Sequence, residues 1–160
     1  MNGLLSTLDA QFAGLHARSG ALVRVVPPEM LYRLPRAASP GAPPVYSCGE
    51  YVLRSAASVE QTFGGLTANL WDDPFEWTLP ETLASPALVA EYLAEVEATR
   101  RRGFALVETD AALSKEIAVP AGETETLFAL LTKTLVRAAH HQGRAFAVFR
   151  LFSDERLPPL

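Results

Sequence analysis

The residues of this 160-residue chain best placed by type and spacing for chemistry stand near its C-terminal end. His140 and His141 are adjacent, and Arg137 precedes His141 by four positions. Side chains four apart on a helix share a face and can hold one ligand between them. Adjacent residues diverge by about 100°, so His140 and His141 cannot both face one core. A neutral imidazole can ligate a divalent metal or act as a general base near neutrality. A guanidinium can do neither, because it stays protonated and has no free lone pair. Two readings of Arg137 and His141 stand side by side. In one, His141 is a buried histidine hydrogen-bonded to Ser55, Ser58 or Thr134, and Arg137 extends to solvent or pairs with a carboxylate. In the other, the two line a small cationic pocket that takes an anion.

The remaining candidates are sparser. Cys48 is the single cysteine, so no intrachain disulfide can form, and a reducing compartment is expected. Its place one residue inside a helix start could lower its thiol pKa, although a structural cysteine is the expectation. Trp71-Asp72-Asp73 with Glu76-Trp77 forms an acidic, aromatic lip that reads as solvated loop. No Ser-His-Asp spacing, phosphate-binding glycine loop or paired-cysteine motif is present.

Four helical segments must position these residues. The first spans about Gly3 to Val23, with Leu4, Leu8, Phe12, Leu15 and Leu22 on one face, and ends at Pro27-Pro28. A proline-rich loop follows. Ser47 and Glu50 form a capping box that opens the second segment, whose stripe is Val52, Ala56, Val59, Phe63, Leu66 and Leu70. Trp71-Asp72-Asp73-Pro74 breaks it. Ser85-Pro86 opens the third segment, which carries Leu88, Tyr92 and Val96 and runs to about Val107. Arg100, Arg101 and Arg102 near its end read as a solvated face. Residues 110–122 read as loop, with Glu116 to Val119 briefly extended. The fourth segment runs from near Thr124 to about Phe152, with Leu127, Leu131, Thr134, Ala138, His141, Ala145, Val148 and Phe152 inward. Amphipathic helices with no strand signal of similar strength predict an all-α four-helix bundle, a single domain over residues 1–160. The connections of roughly 14 to 24 residues are long for an up-down bundle and predict crossovers or ordered loops.

Ser47-Cys48-Gly49-Glu50-Tyr51-Val52-Leu53-Arg54-Ser55-Ala56-Ala57-Ser58-Val59-Glu60 resembles the second helix of DinB-like proteins. Arg137-Ala138-Ala139-His140-His141-Gln142-Gly143 resembles the family's H-x-x-H-H-x-G signature on the last helix, and Pro28-Glu29-Met30-Leu31-Tyr32-Arg33-Leu34-Pro35 also fits. The resemblance covers nearly the whole chain through short motifs. It implies a DinB-like four-helix bundle in which one histidine of the second helix and two of the fourth hold a divalent metal. By that resemblance the site falls on Ser55, Arg137 and His141: the last ligand is retained, the one before it is Arg137, and the second-helix position is Ser55 by helical phase. Counting from the cap gives Arg54 instead, on the side opposite the apolar stripe. His16, His140 and His141 are the only histidines, and none lies between positions 17 and 139. His16 falls at the edge of its helix's stripe. The expectation is therefore no metal and no cofactor.

The resemblance further implies a stress- or damage-associated protein and a homodimer. The leading expectation is a non-catalytic bundle that binds a small molecule or a protein, with a small anion as the ligand if the cationic-pocket reading holds. The alternative is a metal- or thiol-dependent transferase or hydrolase with a rearranged site around His141. A net charge of −4 argues against direct nucleic-acid binding, whose affinity comes from neutralised phosphates. No run reaches the ~18 apolar residues of a membrane span and the start lacks a basic n-region, so no membrane partner and a cytoplasmic location are expected.

Overall fold

The computed structural model describes residues 3–157 and 159. The ends of the expected 1–160 domain, Met1, Asn2, Pro158 and Leu160, lie outside the described residues. The chain is mostly helical. Helix α1 (Gly3–Val25) buries Leu5, Leu8, Phe12, Leu15, Ser19 and Leu22, a spacing of three and four that makes one inward face. Its first amides are capped from far along the chain, since Leu4 and Leu5 donate to the Asp110 carboxylate at 3.1 and 2.8 Å. After Pro27, the single turn α2 (Pro28–Leu31) buries Leu31.

Helix α3 (Cys48–Ala68) begins at the expected capping box. Glu50 N donates to Ser47 Oγ at 3.2 Å and Ser47 N donates to Glu50 Oε2 at 2.8 Å. It ends at Asn69, whose left-handed φ of 54° satisfies the last carbonyls. Trp71 then folds back onto Gly65, where an added Cβ would lie 2.3 Å from the indole. A 3-10 turn, Pro74–Glu76, is capped by Asp73. Helix α4 (Pro86–Ala105) starts with Ser85 as cap and proline at its first turn.

The next connection is ordered rather than open. It contains a 3-10 turn, Asp110–Ser114, and an antiparallel pair of short strands, β1 (Glu116–Ala118) and β2 (Thr124–Thr126), with Ile117 opposite Glu125. The expected extended stretch is thus half of a hairpin. Its partner strand delays the last helix, α5 (Leu127–Arg150), to a start three residues after Thr124. Among the described residues no helix is long and apolar enough to cross a membrane.

Helix α3 packs against α5 on one side and α4 on another, while α1 closes the remaining gap between α4 and α5. The core is joined by Phe12, Phe63 and Phe104, with ring centroids 5.3 to 5.8 Å apart. Several stripe residues shift by one position from expectation. Leu5 and Val89 are buried, whereas Leu4 and Leu88 are exposed; Leu70 is exposed because α3 ends before it. An apolar pair at the edge of a stripe leaves the phase open by one residue, and packing selects the one that fits. Arg100 corrects the reading of its cluster as solvated. It is only 4% exposed and donates to Glu97 at 2.8 Å and to Asp9 on α1, whereas Arg101 and Arg102 face out. Three consecutive arginines span two-thirds of a turn, so one can point inward if carboxylates receive it.

Gly103 sits where α4 crosses Phe63, and an added Cβ would lie 2.4 Å from that ring. Gly103→Ala is expected to lower stability by about 1–3 kcal/mol through overpacking, despite alanine's better helix propensity. Urea unfolding of the two proteins measures it; an unchanged midpoint would contradict this packing.

Candidate functional site

The side of α3 opposite the Val52–Phe63 stripe is not open to water. The connection after α3 folds back over it and α5 runs alongside. Between them lies a cavity of about 90 Å³, lined by Arg54, Ala57, Ser58 and Gln61 of α3, Asp73 and Phe75 of the connection, and Arg137 and His141 of α5. Gln61 Nε2 donates to the Trp71 carbonyl at 2.9 Å and so ties the connection down. Asp73 Oδ1 accepts the Phe75 amide at 3.0 Å, which fixes the turn that forms one wall.

Arg54 is held by aromatic rings. The centroids of Tyr46 and Phe75 each lie 3.9 Å from its guanidinium carbon. Both rings lie within cation–π range of the guanidinium and restrict where it can move. Its Nε is buried and has no hydrogen-bond partner among the described residues. Tyr46 packs edge-on against Tyr51, and Tyr51 stacks with His141 at 6.3 Å and 28°. His141 is half-buried and its Nδ1 likewise has no partner. Thr132 Oγ1, also buried and unpartnered, does not line this cavity.

Burial holds the His141 imidazole below its ordinary pKa, and His140, Arg54, Arg144 and Arg137 push the same way. The imidazole is therefore neutral at pH 7. No arginine pairs with Asp73 among the described residues.

Arg137 and His141 are brought together, but Ser55 is not with them. Ser55 Oγ donates to the Ala138 carbonyl at 2.8 Å, and the residue lines a separate cavity of about 30 Å³ with His16, Glu97 and Arg100. Of the two second-helix positions, Arg54 is the one beside Arg137 and His141. Its phase opposite the apolar stripe is as expected; the covering of that opposite side by α5 and the connection is what changes its meaning. The hydroxyls expected to satisfy His141 are also engaged elsewhere: Ser58 donates to the Arg54 carbonyl at 2.8 Å, and Thr134 shares a 2.6 Å hydrogen bond with Thr62. His141 sits at the edge of the α5 stripe. Gln142 takes the central place, 2% exposed, donating to the Leu15 carbonyl and Ser19 Oγ and accepting from Arg18.

Tyr46, Phe75, Gln61 and Asp73 were not legible as site residues, apart from Asp73's membership in the acidic lip. Tyr46 immediately precedes the N-cap and Phe75 follows a proline, positions that signal loop rather than recognition. Cys48 is 1% exposed, and burial pushes its thiol up to about 12, against any lowering by the helix start.

A divalent cation does not suit this cavity. Its imidazole and its one carboxylate, with the neutral Ser58 hydroxyl and Gln61 amide oxygen, stand beside two guanidiniums, which offer no lone pair and repel a cation. Among the described residues no three His, Cys, Asp or Glu side chains converge. No family model, curated protein or solved structure matches the chain.

Two outcomes check this geometry. In NMR titrations His141 should titrate below a free histidine, and Arg54→Met should raise its pKa whereas Arg102→Met should not; equal values in all three proteins would contradict the assigned surroundings. Cys48 should resist an aromatic disulfide reagent at pH 7–8 in the native protein and react once unfolded, with rapid native labelling as the contrary result.

Proposed function

We propose that the chain is a DinB-like four-helix bundle that acts by binding rather than catalysis. Its ligand is a small anion, held by Arg137 and His141, which the resemblance assigns to the family's metal site, and by Arg54, its alternative for the second-helix position, in place of Ser55. The observation that carries this reading is the pair of unpartnered buried atoms, Arg54 Nε and His141 Nδ1, on residues that line one cavity. A buried polar group without a partner costs about 1–3 kcal/mol, and more when charged. An oxyanion accepting from the Arg54 Nε–H, and from His141 in the tautomer protonated at Nδ1, would remove both costs together. The two rings already restrict Arg54, so little side-chain freedom is lost on binding.

The resemblance supports a stress- or damage-associated role, and the single cysteine supports a reducing compartment such as the cytoplasm. Exposed Phe128, Val136 and Leu151 on and just after α5 are compatible with the homodimer it implies. The acidic balance of the chain speaks against direct contact with nucleic acid. For an enzyme, neutral His141 could serve as a base, but the nearest hydroxyl of the cavity, Ser58, already donates to a backbone carbonyl.

The test is an NMR titration of the Arg54 Nε–H resonance with sulfate, phosphate and acetate at low ionic strength. Saturable shifts are expected, with binding weakened about tenfold or more in Arg137→Gln by the same resonance and in Arg54→Gln by the His141 ring resonances, the effect of losing one charge-assisted hydrogen bond. No shift with any of the three anions would end this reading.

A further inference from the structure

We infer that the ligand of this pocket is a small zwitterion, carrying a carboxylate and an ammonium as a free α-amino acid does. The inference rests on the anion reading and narrows its ligand class. Asp73 lines the same cavity as Arg54 and Arg137 yet forms no ion pair with either among the described residues. Asp73 and Arg137 are exposed and Arg54 is half-buried, so opposite charges that line one cavity without pairing leave a field between them that solvent only partly screens. A simple anion gains at the arginines but meets the Asp73 carboxylate, and a simple cation meets the reverse. A molecule carrying both charges gains at both ends.

Asp73 and Arg54 are linked through one residue. Phe75 lies within cation–π range of Arg54, and its amide donates to Asp73 Oδ1 at 3.0 Å. The other Asp73 oxygen makes no hydrogen bond among the described residues and is free to accept from an ammonium. Arg54, on the same lining, keeps its Nε without a partner among the described residues. A cavity of about 90 Å³ has room for several ordered waters or one small organic ion, which suits the amino and carboxyl groups of a compact amino acid.

Glycine, acetate and methylammonium, titrated separately into the full chain at low ionic strength and followed through the Arg54 Nε–H resonance, decide it. Glycine is expected to bind about tenfold more tightly than acetate, and methylammonium not to bind. Asp73→Asn keeps an oxygen for the Phe75 amide, so the turn survives; it should bring glycine to the level of acetate while acetate binds at least as well as before. Acetate binding with no advantage for glycine overturns the zwitterion and leaves the anion reading standing. An advantage for glycine that survives Asp73→Asn also overturns it, because the ammonium would then lie elsewhere. If neither glycine nor acetate binds, both readings fall.

Discussion

Along α3 the polar side chains Ser55, Ser58 and Thr62 lie buried among apolar ones, and each hydroxyl has a partner: the Ala138 carbonyl, the Arg54 carbonyl and the Thr134 hydroxyl. A helix covered on most of its circumference cannot pass its polar atoms to water, so satisfaction must come from its neighbours. The same constraint shapes the rest of the interior. Arg100 enters the protein only with Glu97 and Asp9 to receive it, and Gln142 only with Leu15, Ser19 and Arg18 around it. These polar ties join α1 to α4 and α1 to α5, contacts that apolar stripes alone would leave free to slide. A buried charge cluster of this kind is weak support for stability but a strong constraint on register.

Against that background the exceptions mark the pocket. Arg54 and His141 keep a buried nitrogen without a partner although the surrounding chain satisfies nearly every other such group. Their orientation is nonetheless held, Arg54 by Tyr46 and Phe75 and His141 by Tyr51. Held placement combined with unused hydrogen-bonding capacity is the feature on which the proposed anion site rests. The histidine's depressed pKa has the same origin: low-dielectric surroundings and nearby arginines keep it neutral, so the pocket's positive charge resides on guanidiniums and persists across physiological pH.

Much of the helical framework was legible from local signals. The capping box at Ser47 and Glu50, the Ser85-Pro86 start and the proline stop after α1 act within a few residues, and each stands where the pattern puts it. The single-residue phase errors at Leu4 and Leu88 come from stripe edges, where period alone cannot choose between neighbours, whereas Leu70 is exposed because α3 ends before it at the Asn69 cap. The hairpin of β1 and β2 was half visible, because a three-residue strand has too little pattern to reveal its partner.

Sequence by itself determined the four long helices and the caps at Ser47 and Ser85, since these depend on residue type and spacing along one segment. Tertiary structure alone decided that the side of α3 opposite its apolar stripe is also covered. That covering turns Arg54 from a solvated side chain into the wall of a pocket, removes Ser55 from it, and brings Asp73 to the same cavity as the arginines. It also sends Arg100 inward rather than out. Each of these outcomes depends on which groups from distant segments meet, and a charged side chain is placed by the partners that receive it, which no local period encodes.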